Sequence, residues 1–353
     1  MNAILFLTIF AAQDPNATFT VGTATAARGQ TAYGQIVVPA GVDSGLKIPV
    51  AVINGAKPGK VAAFVAGSHG TEYASIVAMQ RLIPRLPAAR LSGTVIVVPL
   101  INIGSIEQMT PHLNPVDRKS LNGNYPGDSS GTQSQRALFA MTHAVIDRAD
   151  VVVDLHGGDL DEDLRPYSYW FRGGHAAQDS AGRALALAFG LDHMIVVDIN
   201  PASPNAGRSL SGQALVRGKT VLVAEAGRSG LVLDQDVDKL IFGSLNVLGA
   251  LHMLDRKPVP MKKVTWIGFG ARVAADSAGM FYATVGRDAL VKKGQVVGRT
   301  TDYWGRPTGE IRAPVDGLVT FIRGVPSMWP RATLVNVEKI LTAVPPWAAP
   351  ATP

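Results

Sequence analysis

The sequence predicts an α/β fold: a mostly parallel or mixed sheet flanked by helices, followed by a small C-terminal β domain. Short, continuous apolar runs at residues 60–66, 94–101, 151–155, 194–198 and 220–224 read as strands buried on both faces. Segments with helical spacing stand among them, at 72–86, 133–148, 176–190 and 234–254. Strands alternating with helices make a sheet covered on both sides. The pattern then changes near Pro258 and Pro260. From 264 to 337 the chain shows short β-like runs with turns at Gly279, Gly294, Gly305 and Gly317 and no long helical pattern.

The elements follow in order. Residues 35–39 and 47–53 are strands bounded by turn residues. The helix over 72–86 puts Ile76, Met79, Leu82 and Ile83 on one face. Residues 104–130 have no period and hold Pro, Asn and Gly, so they form a long loop, and such loops in compact domains are commonly functional. A further strand is expected at 167–171, and 176–190 is an alanine-rich helix. Asp234 is the expected N-cap of the helix 234–254. The expected division is a leader at 1–12, a main domain over 13–258, a small β domain over 259–344 and a disordered Pro-rich tail over 345–353. No internal repeat is evident.

The chain has 353 residues, of which 47% are apolar, ample for a packed core. Its net charge of +6 comes from scattered Lys and Arg, with doublets only at Lys262 and Lys263 and at Lys292 and Lys293. There is no basic stripe with interleaved aromatics, which argues against a nucleic-acid partner. There is no cysteine, which excludes disulfides, thiolate metal sites and cysteine nucleophiles. Any transition metal must therefore be held by nitrogen and oxygen, which suits zinc, iron or manganese. The apolar block at 3–12 has the size of a signal-peptide core and is too short to span a bilayer. Ala11 and Ala12 could precede a cleavage site, although no Lys or Arg stands before the block. The reading is export to the periplasm or medium; the alternative is a buried first strand in a cytoplasmic protein. No other segment is long and apolar enough to cross a membrane.

The chemistry gathers at strand ends. His69 and Glu72 form an H-x-x-E pair just after the run ending at Ala66, and His156 follows the run 151–155. In open α/β sheets, functional residues collect beyond the carboxyl ends of strands. Two imidazoles and one carboxylate are a three-ligand set for a catalytic zinc with one position open. Gly70 is expected to permit the sharp turn. Either histidine alone would more commonly be a satisfied loop residue. Asp154 shares a strand face with His156, so it either holds the other ring nitrogen or caps the sheet end. Glu225 ends the run 220–224 and is the best-placed proton carrier for a metal hydrolase, or else a surface carboxylate. Asn122 and Tyr125, in the long loop, either line a pocket or form a plain turn. Arg118, Arg165 and Arg228 flank these segments and are either solvated or grip a substrate carboxylate or carbonyl. There is no G-x-S-x-G elbow and no H-E-x-x-H helix. Gly268-Phe269-Gly270 lacks the third glycine of a dinucleotide loop. His112, His143, His175, His193 and His252 show no ligand spacing.

At these residues the chain resembles the succinylglutamate desuccinylase/aspartoacylase family, a branch of the zinc carboxypeptidase-like hydrolases. Gly67-Ser68-His69-Gly70-Thr71-Glu72 is similar to its G-x-H-G-x-E, and Asp154-Leu155-His156-Gly157-Gly158-Asp159 to its D-L-H-x-G-D. The stretch from Asn114-Pro115-Val116-Asp117 through Asn122 to Pro126-Gly127 resembles its N-P-x-D-G-x-x-L-N-R-x-F-P-G loop. Glu225 falls where the family has its general base. The resemblance spans most of residues 35–256, and the β segment beyond it resembles the C-terminal β domain such proteins often carry. It implies a zinc carboxypeptidase-like fold, one zinc per chain on His69, Glu72 and His156, and a small-molecule acyl-amide substrate. One departure stands out: the arginine that typically grips a substrate carboxylate is here Gly123, and Arg118 stands where glycine is usual. The expected function is zinc-dependent hydrolysis of an amide bond, by a deacylase or amidase acting on a small N-acyl amine or amino-acid derivative. The alternatives are a metallocarboxypeptidase for short or modified peptides and a non-catalytic binding protein that retains the metal. A homo-oligomer is compatible with the sequence.

Overall fold

The computed structural model describes residues 18–259, 261 and 263–346. The expected leader at 1–12 and tail residues 347–353 lie outside the described residues. One 13-stranded mixed sheet organises the chain. At its centre Ser92–Val98, Lys57–Ala66, Val151–His156 and Thr220–Glu225 run parallel, side by side in that order. The direction then reverses: Tyr167–Arg172 pairs antiparallel with Thr220–Glu225 and parallel with His193–Asp198.

The continuous apolar runs are explained by two separate cores. In Lys57–Ala66, Ala62, Phe64 and Ala66 join one core, while Ala63 and Val65 join the other. Side chains alternate across a strand, so from Ala62 to Ala66 both faces are dry and every position is apolar. The first core is closed by the helices Tyr73–Leu82, Ala176–Phe189 and Asp234–Ala250, and the second by Gln133–Met141 and Leu210–Val216.

Several boundaries differ from expectation for identifiable reasons. The helix expected over 72–86 ends as an α-helix at Leu82 and tightens into a 3₁₀ turn, Ile83–Arg85, because Pro84 has no N–H to donate. The helix expected over 133–148 is α-helical through Gln133–Met141 and then widens into a π turn, Thr142–Ile146. The long loop begins with a short helix, Ile103–Gln108, capped by the Asn102 side chain accepting from Ser105 N at 3.3 Å. Six residues are too few for a period to show. Leu233, not Asp234, is the N-cap of Asp234–Ala250; Asp234 is its first residue, exposed and 2.9 Å from Arg81, where its charge still complements the helix dipole.

The C-terminal β segment has its own apolar core around Phe281, Val297, Leu334 and Val337. It also shares the main sheet. Thr265–Ala274 pairs parallel with His193–Asp198 and antiparallel with Thr333–Ile340. Gly317–Arg323 pairs with Glu162–Leu164, a short strand just beyond His156.

The turn that presents His69 is made differently from the expectation. Gly67 supplies the left-handed conformation, at φ 67°. Gly70 is needed for space: a Cβ there would lie 2.6 Å from both the Asn102 carbonyl and the Ile106 nitrogen. Gly70→Ala is therefore expected to destabilise the fold by about 1–3 kcal/mol, the cost of overpacking against backbone. Gly286→Ala, where a Cβ meets nothing within 4 Å, serves as control and should not destabilise. Urea unfolding of both variants checks this; equal midpoints would refute the packing account.

Candidate metal centre and active site

Glu72 immediately precedes the helix Tyr73–Leu82 but makes no side-chain cap bond to it. Its carboxylate is turned instead toward two imidazoles. Oε1 lies 2.6 Å from His69 Nδ1, and Oε2 lies 2.9 Å from His156 Nδ1 and accepts from Gly157 N at 3.1 Å. Both Glu72 and His156 are buried. Burial acts to raise the Glu72 pKa, but the charges of His156 and His69 outweigh it and hold the carboxyl far below the usual range. Burial acts to lower the His156 pKa, but Asp154 and Glu72 outweigh it and hold the imidazole well above its ordinary value. One atom from each of His69, Glu72 and His156 lies within 4.8 Å of the others.

These residues fit a divalent cation. A metal bound at His156 Nδ1 requires the ring proton on Nε2, and Nε2 lies 3.1 Å from Asp154 Oδ1. That oxygen is buried and otherwise accepts no hydrogen bond. The tautomer that frees Nδ1 thus satisfies the acceptor that lacks a donor, the arrangement usual behind a ligating histidine.

Sheet register sets the rest of the site. His156 and Glu225 are direct partners across parallel strands, as are Asp154 and Val223. Glu225 is also the antiparallel partner of Tyr167. Asp154, His156 and Glu225 therefore share one face, and with His69, Glu72 and Asn122 they line one cavity of about 440 Å³. Burial raises the Glu225 pKa well above the ordinary value; Glu72, Glu162 and Asp154 add to this, and His156 opposes it.

The remaining expected residues fall elsewhere. Tyr125 is buried near Asp154, outside the cavity lining, and its hydroxyl has no hydrogen-bond partner. Arg118 is exposed on the loop, at φ 57°, and does not line the cavity. Arg228 also lies outside the lining: its backbone forms an isolated antiparallel β-bridge with Asp163, and its Nε is buried without a hydrogen-bond partner. Arg165 is committed to Asp192 and Asp288.

Sequence reasoning passed over several contributors. His112 sits against His69, with ring centroids 5.7 Å apart, and reaches Asp161 at 3.0 Å and Asp159 at 3.2 Å. Glu162 lines the cavity, and burial pushes its pKa up to about 7. Asp159 also accepts from the Thr71 hydroxyl and from His112 N, which ties the H-x-x-E turn to the loop after His156. The acidic run Asp159-Leu160-Asp161-Glu162-Asp163 was the available signal. Phe269, Phe321 and Asn336 reach the cavity from the C-terminal segment, and no local pattern marks them.

Comparison with known proteins identifies the family. The model of the succinylglutamate desuccinylase/aspartoacylase catalytic domain matches residues 58–251, more than half of the chain. The chain belongs to this family. It is 27% identical over 328 residues to N-alpha-acetyl-L-2,4-diaminobutyric acid deacetylase of Halomonas elongata, covering 89% of each chain. Among solved structures, succinylglutamate desuccinylase/aspartoacylase of Rhodobacter sphaeroides is 25% identical, with a TM-score of 0.77 over 89% of this chain and 96% of that one. The product-bound ectoine utilization protein EutE (DoeB) of Ruegeria pomeroyi shares the fold, at 22% identity and a TM-score of 0.80 over 93% and 100% of the two chains. Membership puts the chain among deacylase-type hydrolases of amide bonds.

The His112 cluster gives a pH signature. Burial acts to lower the His112 pKa, but the hydrogen bond to Asp161 and the charges of Glu162, Asp159 and Asp161 push it up to about 9. A folded-state pKa raised above the unfolded one stabilises fully below about 6.5 and is lost as pH rises through about 9. In chelator-treated protein, the stability gap between wild type and His112→Gln should narrow steadily across that window. Denaturant unfolding at a series of pH values measures it, and a gap that is flat with pH counts against the assignment.

Proposed function

We propose that the protein is a zinc-dependent deacylase or amidase that hydrolyses a small N-acyl amine or amino-acid derivative. The carrying observation is the convergence of His69, Glu72 and His156 on one wall of a cavity, with Glu225 in register beside His156. A zinc ion held by those three residues would supply the Lewis acidity that polarises the scissile carbonyl and activates water. Asp154 holds the His156 ring in the tautomer that offers Nδ1. Glu225 accepts the proton of the attacking water and returns it to the leaving nitrogen, which needs a carboxylate whose affinity for protons is enhanced. Asn122, on the cavity wall, orients the substrate amide. The apolar block at 3–12 supports export, which N-terminal sequencing of the mature protein would test.

Purified protein is expected to hold one zinc per chain by elemental analysis, and to lose turnover of acyl amides on chelation and regain it with added zinc. Glu225→Gln should keep the metal while kcat falls by about 10²–10⁴-fold. His156→Ala should lose both metal and turnover. Protein without stoichiometric metal, or a Glu225→Gln variant with full turnover, would sink the proposal.

A further inference from the structure

The cavity beside the metal ligands carries a selectivity that Gly123 alone only hints at. Tyr167, Tyr169 and Phe171 occupy alternate positions of one strand and so share a face. Their rings form a contiguous row, with centroids 5.2 Å apart for Tyr167 and Tyr169 and 6.0 Å apart for Tyr169 and Phe171. Val223, in register with Tyr169, extends this surface, and Phe269 and Phe321 join it from the C-terminal segment. The row begins beside Glu225, because Tyr167 is its register partner. A substrate placed for proton transfer at Glu225 therefore lies alongside aromatic rings.

Charge points the same way. Among the described residues lining this cavity there is no Lys or Arg, but there are four carboxylates: Glu72, Asp154, Glu162 and Glu225. A divalent cation offsets two of these charges. An anionic substrate group would find no Lys or Arg side chain to pair with among these residues. At Gly123 the backbone has φ 96° and a Cβ would meet nothing within 4 Å, so the position is open. Arg208, the cation beside it, is exposed and donates from Nε to the Gly123 carbonyl at 2.7 Å. The arginines at positions 272, 323 and 331 line a separate cavity that touches this one at Glu162 and Phe321. There Arg323 lies 2.8 Å from Asp161.

We propose that this cavity selects N-acyl amines that carry an aryl or branched-alkyl group, and no carboxylate, next to the scissile amide. The inference rests on the deacylase reading but is tested separately, by binding. Glu225→Gln, as purified, would be titrated calorimetrically with N-benzylacetamide and N-methylbenzamide, which put the ring on the amine or the acyl side. N-acetyl-L-aspartate and N-succinyl-L-glutamate are the anionic probes. At least one aryl probe should bind about tenfold or more tighter than both anionic probes, the effect of burying much of a phenyl ring. Adding Phe269→Ala, at an exposed position that the core does not need, should weaken aryl binding by about threefold or more and leave the anionic probes unmoved. An anionic probe that binds as tightly as the aryl pair, no measurable aryl binding at millimolar concentration, or an equal effect of Phe269→Ala on all probes would each overturn the selectivity. Wild-type turnover of the same four compounds separates the two readings. If the binding order holds and none is hydrolysed, the selectivity stands and the deacylase reading fails; if only the anionic pair is hydrolysed, the reverse follows.

Discussion

A carboxylate buried between two imidazoles is the constraint around which this molecule is arranged. Glu72 is withdrawn from water, and an isolated charge there would be very costly. His69 and His156 each present Nδ1 to one of its oxygens, and the Gly157 N–H adds a further donor. The arrangement demands positive charge at one point. Protons on the imidazoles can provide it, and so can a divalent cation held by the three side chains. Asp154 gains its hydrogen bond whenever the His156 ring carries its proton on Nε2, as the tautomer that suits a metal does.

Holding that point requires backbone that cannot drift. His156 and Glu225 are fixed by adjacent parallel strands whose neighbours on both faces are packed core. His69 and Glu72 come from a turn that Gly67 bends and that Gly70 lets lie against Asn102 and Ile106. Asp159 then joins that turn to the loop after His156 through Thr71 and His112. These side chains thus stand on rigid elements, as a preorganised site requires.

The sheet, its flanking helices and the cluster of His69, Glu72 and His156 were legible because each leaves a local mark. Doubly buried strands are continuously apolar, and H-x-x-E and a terminal His sit where such strands end. Less was legible where the determinant is distant or small. Ile103–Gln108 is too short to show a period. Arg118, Arg228 and Tyr125 looked well placed along the chain, yet none lines the cavity: Arg118 is exposed to solvent and Tyr125 is buried near Asp154. His112 was passed over because its partners, Asp159 and Asp161, lie more than forty residues away in sequence. Phe269, Phe321 and Asn336 could not be assigned at all, since only the tertiary path of the last strands brings them to the site.

That path has a consequence for how the molecule matures. Thr265–Ala274 is stitched to His193–Asp198 on one side and to Thr333–Ile340 on the other. A ribosome making this chain from its amino terminus releases the His69, Glu72 and His156 cluster and Glu225 before it releases Phe269, Phe321 and Asn336, the last residues of the cavity wall. The growing polypeptide would thus carry its reactive groups in an open, unformed cleft, and the finished chamber would arrive only with the final strand.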